Sequence, residues 1–169
     1  MKTVGLKRLT VKLFPHNRKW RGVFGVEARK IRKLIPHVEH IGSTAINGIK
    51  AKPIIDMLAG IPSMKESKDY IKPLAKLGFE LRPFGIASKH LLFVKGKEKN
   101  RTHYLHLVKH DGQIWKSDLF FRDYLNRHRG AAKTYEKLKI ELAGRFAQER
   151  PKYTKAKWQF IKNILDKRK

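Results

Sequence analysis

One carboxylate stands inside an apolar run: Asp56, in Ile54-Ile55-Asp56-Met57-Leu58-Ala59. An ionised carboxylate buried alone costs several kcal/mol or more, so such a group is expected to be paired, hydrogen-bonded or bound to a metal. Upstream, Gly42-Ser43-Thr44 makes a small polar turn. Ser43 stands where its hydroxyl could cap a short helix or helical turn over residues 44–49, and the free N–H groups at a helix start suit an anion. An ordinary capped turn uses the same residues. Lys50 and Lys52 add positive charge close by. A polar turn suited to an anion, followed by a carboxylate that needs a partner, a hydrogen bond or a metal, marks this stretch as the candidate site.

Metal-assisted chemistry at a phosphate needs a metal site and an in-line attack on phosphorus. Two carboxylates one residue apart on a strand point the same way and can share two metal ions. Two positions after Asp56 stands Leu58, not an acid. Asp56 is thus expected to hold one Mg2+ or Mn2+ with water and substrate phosphates, as oxygen-preferring cations require. A second acid would come from elsewhere, and Asp111, Asp118 and Asp123 are available. His103 and His106 lie three apart on a strand and face opposite sides, and His106 is assigned to the side of Asp56. An imidazole there favours manganese, zinc or a direct phosphate hydrogen bond; a sheet histidine with an ordinary hydrogen bond is the alternative. His40 precedes the turn and could orient it. Arg122-Asp123 could form a phosphate clamp, since a guanidinium forks onto two oxygens. Equally, Arg122 could pair with Asp118 four residues earlier. Lys139 and Lys157 read as solvated helical lysines. Trp20, Phe121, Tyr124 and Tyr135 sit at core spacing and read as packing.

The elements that must position these groups follow from periodicity. Leu9, Val11 and Leu13 alternate with polar neighbours and predict a strand. Asn17 can cap a helix carrying Trp20, Phe24, Ala28, Ile31 and Leu34, which Pro36 stops. Residues 38–41 are extended. Residues 53–61 read as a central strand, with Ile54, Asp56 and Leu58 on one face. Ser63-Met64-Lys65-Glu66 is a capping box. It opens a helix through Tyr70, Ile71, Leu74 and Leu77, kinked at Pro73 and closed by Gly78. Residues 79–82, 90–95 and 103–109 predict strands, the last two joined as a hairpin. From residue 111 the chain reads as helical, with a break at Pro151. Residues 1–169 thus form one α+β domain, strand-rich over 1–110 and helical over 111–169.

Several stretches resemble the GrpB-like family of predicted nucleotidyltransferases, within the superfamily that includes DNA polymerase beta. They are Glu39-His40-Ile41-Gly42-Ser43-Thr44, Lys52-Pro53-Ile54-Ile55-Asp56, Arg101-Thr102-His103-Tyr104-Leu105-His106-Leu107-Val108 and Phe121-Arg122-Asp123-Tyr124-Leu125. Tyr135-x-x-Leu138-Lys139 and Arg150-Pro151-Lys152-Tyr153-Thr154-Lys155-Ala156-Lys157 extend the likeness over most of the chain. The resemblance implies a nucleotidyltransferase-like fold, a mixed and mostly antiparallel sheet of about four to six strands with flanking helices. It implies a nucleoside triphosphate at Gly42, Ser43 and Thr44, with Lys52 and Arg122 on its phosphates. It puts a divalent metal at Asp56, with His106 as catalytic partner and His40, His103 and Asp123 in support. Leu58 departs from the superfamily's acid pair. The alternative is a non-catalytic nucleotide- or RNA-binding module on the same fold.

Forty Lys and Arg against 14 Asp and Glu leave a net charge of +26. That balance predicts attraction to RNA or other polyanions, with strong salt dependence. The chain has no cysteine, which excludes disulfides and thiolate metal sites and fits a cytoplasmic setting. Residues 1–13 lack the continuous apolar stretch of a signal peptide. No apolar run is long enough for a membrane span.

Overall fold

The computed structural model describes residues 3–82 and 89–168. A five-stranded sheet runs in the order β1-β2-β5-β4-β3. Its strands are β1 (His37–Ile41), β2 (Ile55–Ile61), β3 (Phe79–Leu81), β4 (His90–Lys95) and β5 (His103–Lys109). Only β2 and β5 pair in parallel; the other three pairs are antiparallel. The sheet is therefore mixed and mostly antiparallel, and its order brings the Asp56 strand beside the His106 strand.

Each face is covered by helices, which is why β2 is apolar on both sides. On one face Ile55, Met57, Leu105 and Phe93 pack with Trp20, Ala28 and Ile31 of α1 (Lys19–Ile31) and Leu74 of α2 (Ile71–Lys76). The Asn17 side chain accepts from the Lys19 amide at 3.0 Å, so Asn17 does cap α1. On the other face lie α3 (Gln113–Arg127), α4 (Arg129–Arg145), α5 (Arg150–Ala156) and α6 (Trp158–Leu165). Pro151 falls in the first turn of α5, where its missing N–H costs nothing.

Leu58 is buried with Ile41, Val108 and Trp115, and Ile114 and Leu119 pack against the same cluster. The place of the second acid is thus roofed by α3.

Four local expectations are corrected. Residues 9–13 form no strand: Leu9 has φ +67°, the Val11 amide donates to the Ala147 carbonyl at 2.8 Å, and the nearest bridges, Leu6 to Arg101 and Phe14 to Ala51, flank the stretch. Its alternation arises because Val11 packs with Leu142 and Tyr153 of the helices. Of the short helix or helical turn expected over 44–49, the structure has one 3-10 turn, Ser43–Ala45, and the cap is Gly42 rather than Ser43. The Ser63 side chain does accept from the Lys65 amide, but the turn it opens, Met64–Tyr70, is 3-10. Leu34 lies beyond α1 and is exposed.

Candidate functional site

The Asp56 face of the sheet is not fully covered. Between it and the helical third lies a cavity of about 500 Å³, a size typical of small-molecule sites. Gly42, Ser43, Thr44, Lys52 and Asp56 line it, with Tyr104 and His106 of β5. The register explains this grouping: Asp56 pairs with Tyr104 and Leu58 with His106, so all four side chains share a face.

Gly42 and Asp56 touch because Ile41 pairs with Asp56 across β1 and β2. Gly42 has φ +68° and ψ −172°, a conformation close to glycine-only. Thr44 fastens the turn from behind. Its hydroxyl lies 3.0 Å from His40 Nε2 and donates to the Ile54 carbonyl at 3.4 Å. His40 itself stacks on Phe24.

The segment joining this turn to β2 is held by the helical third. Asn126 accepts from the Asn47 amide (2.9 Å) and donates to the Ala45 carbonyl (3.0 Å). Lys133 donates to the Gly48 carbonyl (3.2 Å), and the Lys50 amide donates to Glu136 (2.5 Å). Lys139 donates to the Lys50 carbonyl and lies over the Tyr135 ring. Lys139 is therefore not the solvated lysine its helical setting suggests: it is 1% exposed, and burial beside Lys157 pulls its pKa down to about 7.

The cavity wall is strongly cationic. Arg8, Lys52, Arg82, Arg101, Arg150 and Lys157 line it against two carboxylates, Asp56 and Asp118. Arg8 and Arg101 pair with Glu98. Arg150 donates to the Tyr104 hydroxyl at 2.7 Å, and Lys52 and Lys157 lie over the Tyr153 ring. Lys52, Arg150 and Lys157 carry no ion pair among the described residues, and neither do Asp56 and Asp118. Burial pushes the Asp56 carboxyl up, against the pull of Lys52, Arg150 and Lys157. Burial likewise pushes the Lys52 ammonium down, reinforced by Arg150 and Lys157 and opposed by Asp56. Asp118 is raised to about 6, first by burial and then by the charge of Asp56.

Asp118 is the second carboxylate of the cavity wall. It comes from α3, beside the wall residues Ser117 and Phe121. A signal for it exists in the chain: Asp118, Phe121 and Leu125 recur at i, i+3 and i+7, so Asp118 interrupts an apolar stripe as Asp56 does. Asp111 is exposed at the end of β5, and Asp123 pairs with Arg122 at 2.8 Å; neither lines the cavity.

Other expected residues lie apart. Arg122 is not among the wall residues of this cavity and does not pair with Asp118. It donates to Glu39 (2.7 Å) and the His40 carbonyl (3.0 Å), bracing β1. His103 faces the opposite side of the sheet, edge-on to Phe79 with Nδ1 3.0 Å from the Thr102 hydroxyl. His106 lines the cavity, and its Nδ1 lies 2.9 Å from His90 Nε2. Burial holds His106 near pKa 4, hence neutral at pH 7. Tyr104, Arg150, Arg8, Arg82 and Arg101 carry no local sign that would have placed them together. Among the described residues no helix is long and apolar enough to cross a membrane.

A family model described as GrpB protein matches residues 10–167. The glutamate-rich protein GrpB of Alkalihalophilus pseudofirmus is 33% identical, over 96% of this chain and 98% of its own. UPF0157 protein YqkA of Bacillus subtilis is 32% identical over 94% of this chain, which spans only 47% of that relative. Among solved structures, the conserved protein GrpB from Enterococcus faecalis superposes with a TM-score of 0.82 at 31% identity, covering 92% of this chain and 96% of that one.

Proposed function

The chain belongs to the GrpB family, and from that premise we propose that its cationic cavity binds a nucleoside triphosphate with Mg2+ or Mn2+ and transfers the nucleotidyl group to an acceptor. One observation carries this reading: Asp56 and Asp118 share a cavity with Lys52, Arg150 and Lys157, and none of the five is spent on an internal ion pair. A buried group of like charges facing two carboxylates is costly unless a ligand completes it. A polyphosphate with a divalent cation supplies both missing signs.

The donor set suits a hard cation held by carboxylates, water and substrate phosphates. Among the described residues no cluster of three His, Cys, Asp or Glu could hold a metal, so an all-protein cage is not the design. When bound, the cation would neutralise and align the phosphates. The chain's own groups do the rest. Lys52, Arg150 and Lys157 bind the phosphate oxygens as preorganised charges. The acceptor oxygen bonds to the α-phosphorus as the bond to the bridging oxygen breaks, and pyrophosphate leaves. The acceptor's proton passes to His106 Nε2, which the incoming anion makes more basic.

Calorimetric titration of each triphosphate with Mg2+ or Mn2+ tests this, alongside pyrophosphate release with a labelled nucleotide. Saturable binding lost in Asp56→Asn, with release of pyrophosphate, is the expected result. Absence of both would refute the reading. A second reading, binding without turnover, is favoured by the α3 roof over Leu58, which leaves β2 a single acid. Retained binding with no release would select it. So would RNA binding with a steep salt slope that Asp56→Asn does not change.

A further inference from the structure

A second cavity, of about 570 Å³, lies on the far side of the Gly42-Ser43-Thr44 turn and shares only Thr44 with the first. Four arginines line it, Arg18, Arg21, Arg32 and Arg122, with Glu39 as its one carboxylate. Two of the four are fixed in place. Arg122 is held by Glu39, Asp123 and the His40 carbonyl, and Arg32 donates to the Val38 carbonyl at 2.7 Å. The Arg122 pair cancels Glu39. Arg18 and Arg21 are exposed and in no ion pair among the described residues, which leaves the cavity in excess of positive charge.

Two histidines of the wall register that field. His40 is lowered to about 4 by burial first, then by Arg122 and Arg21. His16 is lowered by burial and then by Arg18. The Nδ1 atom of His16 is buried and has no hydrogen-bond partner among the described residues. Guanidinium forks match the paired oxygens of a phosphate better than they match a halide or water. Phe24 and His40, stacked at 4.7 Å, give the wall an aromatic surface beside the arginines.

We propose that this second cavity is a separate phosphate-binding site, taking the phosphate of a small phosphorylated ligand or of a nucleic-acid backbone. It does not depend on a nucleotide being bound at Asp56. The test follows the His16 and His40 imidazole signals of the full 15N-labelled chain by NMR. One arm adds inorganic pyrophosphate; the other adds a 5′-hydroxyl oligouridylate of about ten nucleotides, whose only phosphates are diesters. Both imidazoles should shift saturably, and the His40 pKa should rise as the anion offsets its arginines. The double variant Arg18→Ser, Arg21→Ser, at exposed positions, should bind about tenfold more weakly. A response to both probes assigns the site to backbone phosphate as well; a response to pyrophosphate alone assigns it to a small ligand. Asp56→Asn should leave these signals responsive. Loss of the shifts in Asp56→Asn, shifts that persist undiminished in the double variant, or no saturable shift with either probe would overturn the proposal.

Discussion

Gly42 lies flat on Asp56: a Cβ built at position 42 would meet Asp56 Oδ2 at 2.5 Å and its Cβ at 2.9 Å. The contact sets the distance between the turn and the carboxylate. Gly42→Ala adds this clash to a backbone conformation that L side chains avoid. We expect a loss of about 2–4 kcal/mol in urea denaturation, from backbone strain and clash together. A variant with the wild-type midpoint would mean that the turn relaxes without cost.

Asp56→Asn should separate stability from binding. The substitution keeps the shape and removes a buried charge that has no ion-pair partner. Its thermal midpoint is expected at or above the wild-type value at pH 7, since such a charge is costly to bury. Affinity for a metal–triphosphate complex should fall at least about tenfold, as expected for a lost charged contact. A large fall in the midpoint would instead make Asp56 a structural residue.

Asp118 gives a pH signature. Its pKa is raised from 3.8 to about 6 in the fold. The unfolded chain loses this proton first, so the associated stability is complete below about pH 4 and is lost as pH rises toward 6. The change is on the order of 1–3 kcal/mol. Asp118→Asn should flatten that part of the stability profile, and Asp56→Asn should lower the Asp118 pKa by removing a neighbouring negative charge. Metal-dependent nucleotide binding should weaken as pH falls through 6. Carboxyl NMR titration reads all three, and an Asp118 titrating near 3.8 contradicts them.

Lys139 has the opposite slope. Its pKa is lowered from 10.5 to about 7. Between those values the unfolded chain binds the extra proton, so stability rises with pH from about 7 to 10.5. The rise is on the order of 2–4 kcal/mol. Lys139→Met should abolish it, and would also free the Lys50 carbonyl. Parallel denaturation curves of both proteins at pH 7 and pH 9.5 check this; equal pH dependence would refute it.

What was legible in the chain was what depends on neighbours in sequence. β4 and β5 take the spans their alternation predicts, 90–95 and 103–109. Strand parity correctly sends His103 and His106 to opposite faces. The anomaly at Asp56 leads to the cavity. What stayed hidden depends on distant partners. Lys139 is buried because a carbonyl 89 residues away accepts its hydrogen bond. Arg122 looked like a phosphate clamp because nothing local reveals Glu39, 83 residues upstream. Leu9 to Leu13 alternates like a strand, yet the helices supply its apolar contact.

The clamp on residues 45–50 has a consequence for synthesis. Asn126, Lys133, Glu136 and Lys139 all reach back across roughly eighty residues to grip that segment. A ribosome must therefore deliver α4 before the grip can close. The segment stays ungripped until late in translation, and a message truncated ahead of codon 126 yields a sheet whose loop at residues 45–50 has none of the four partners.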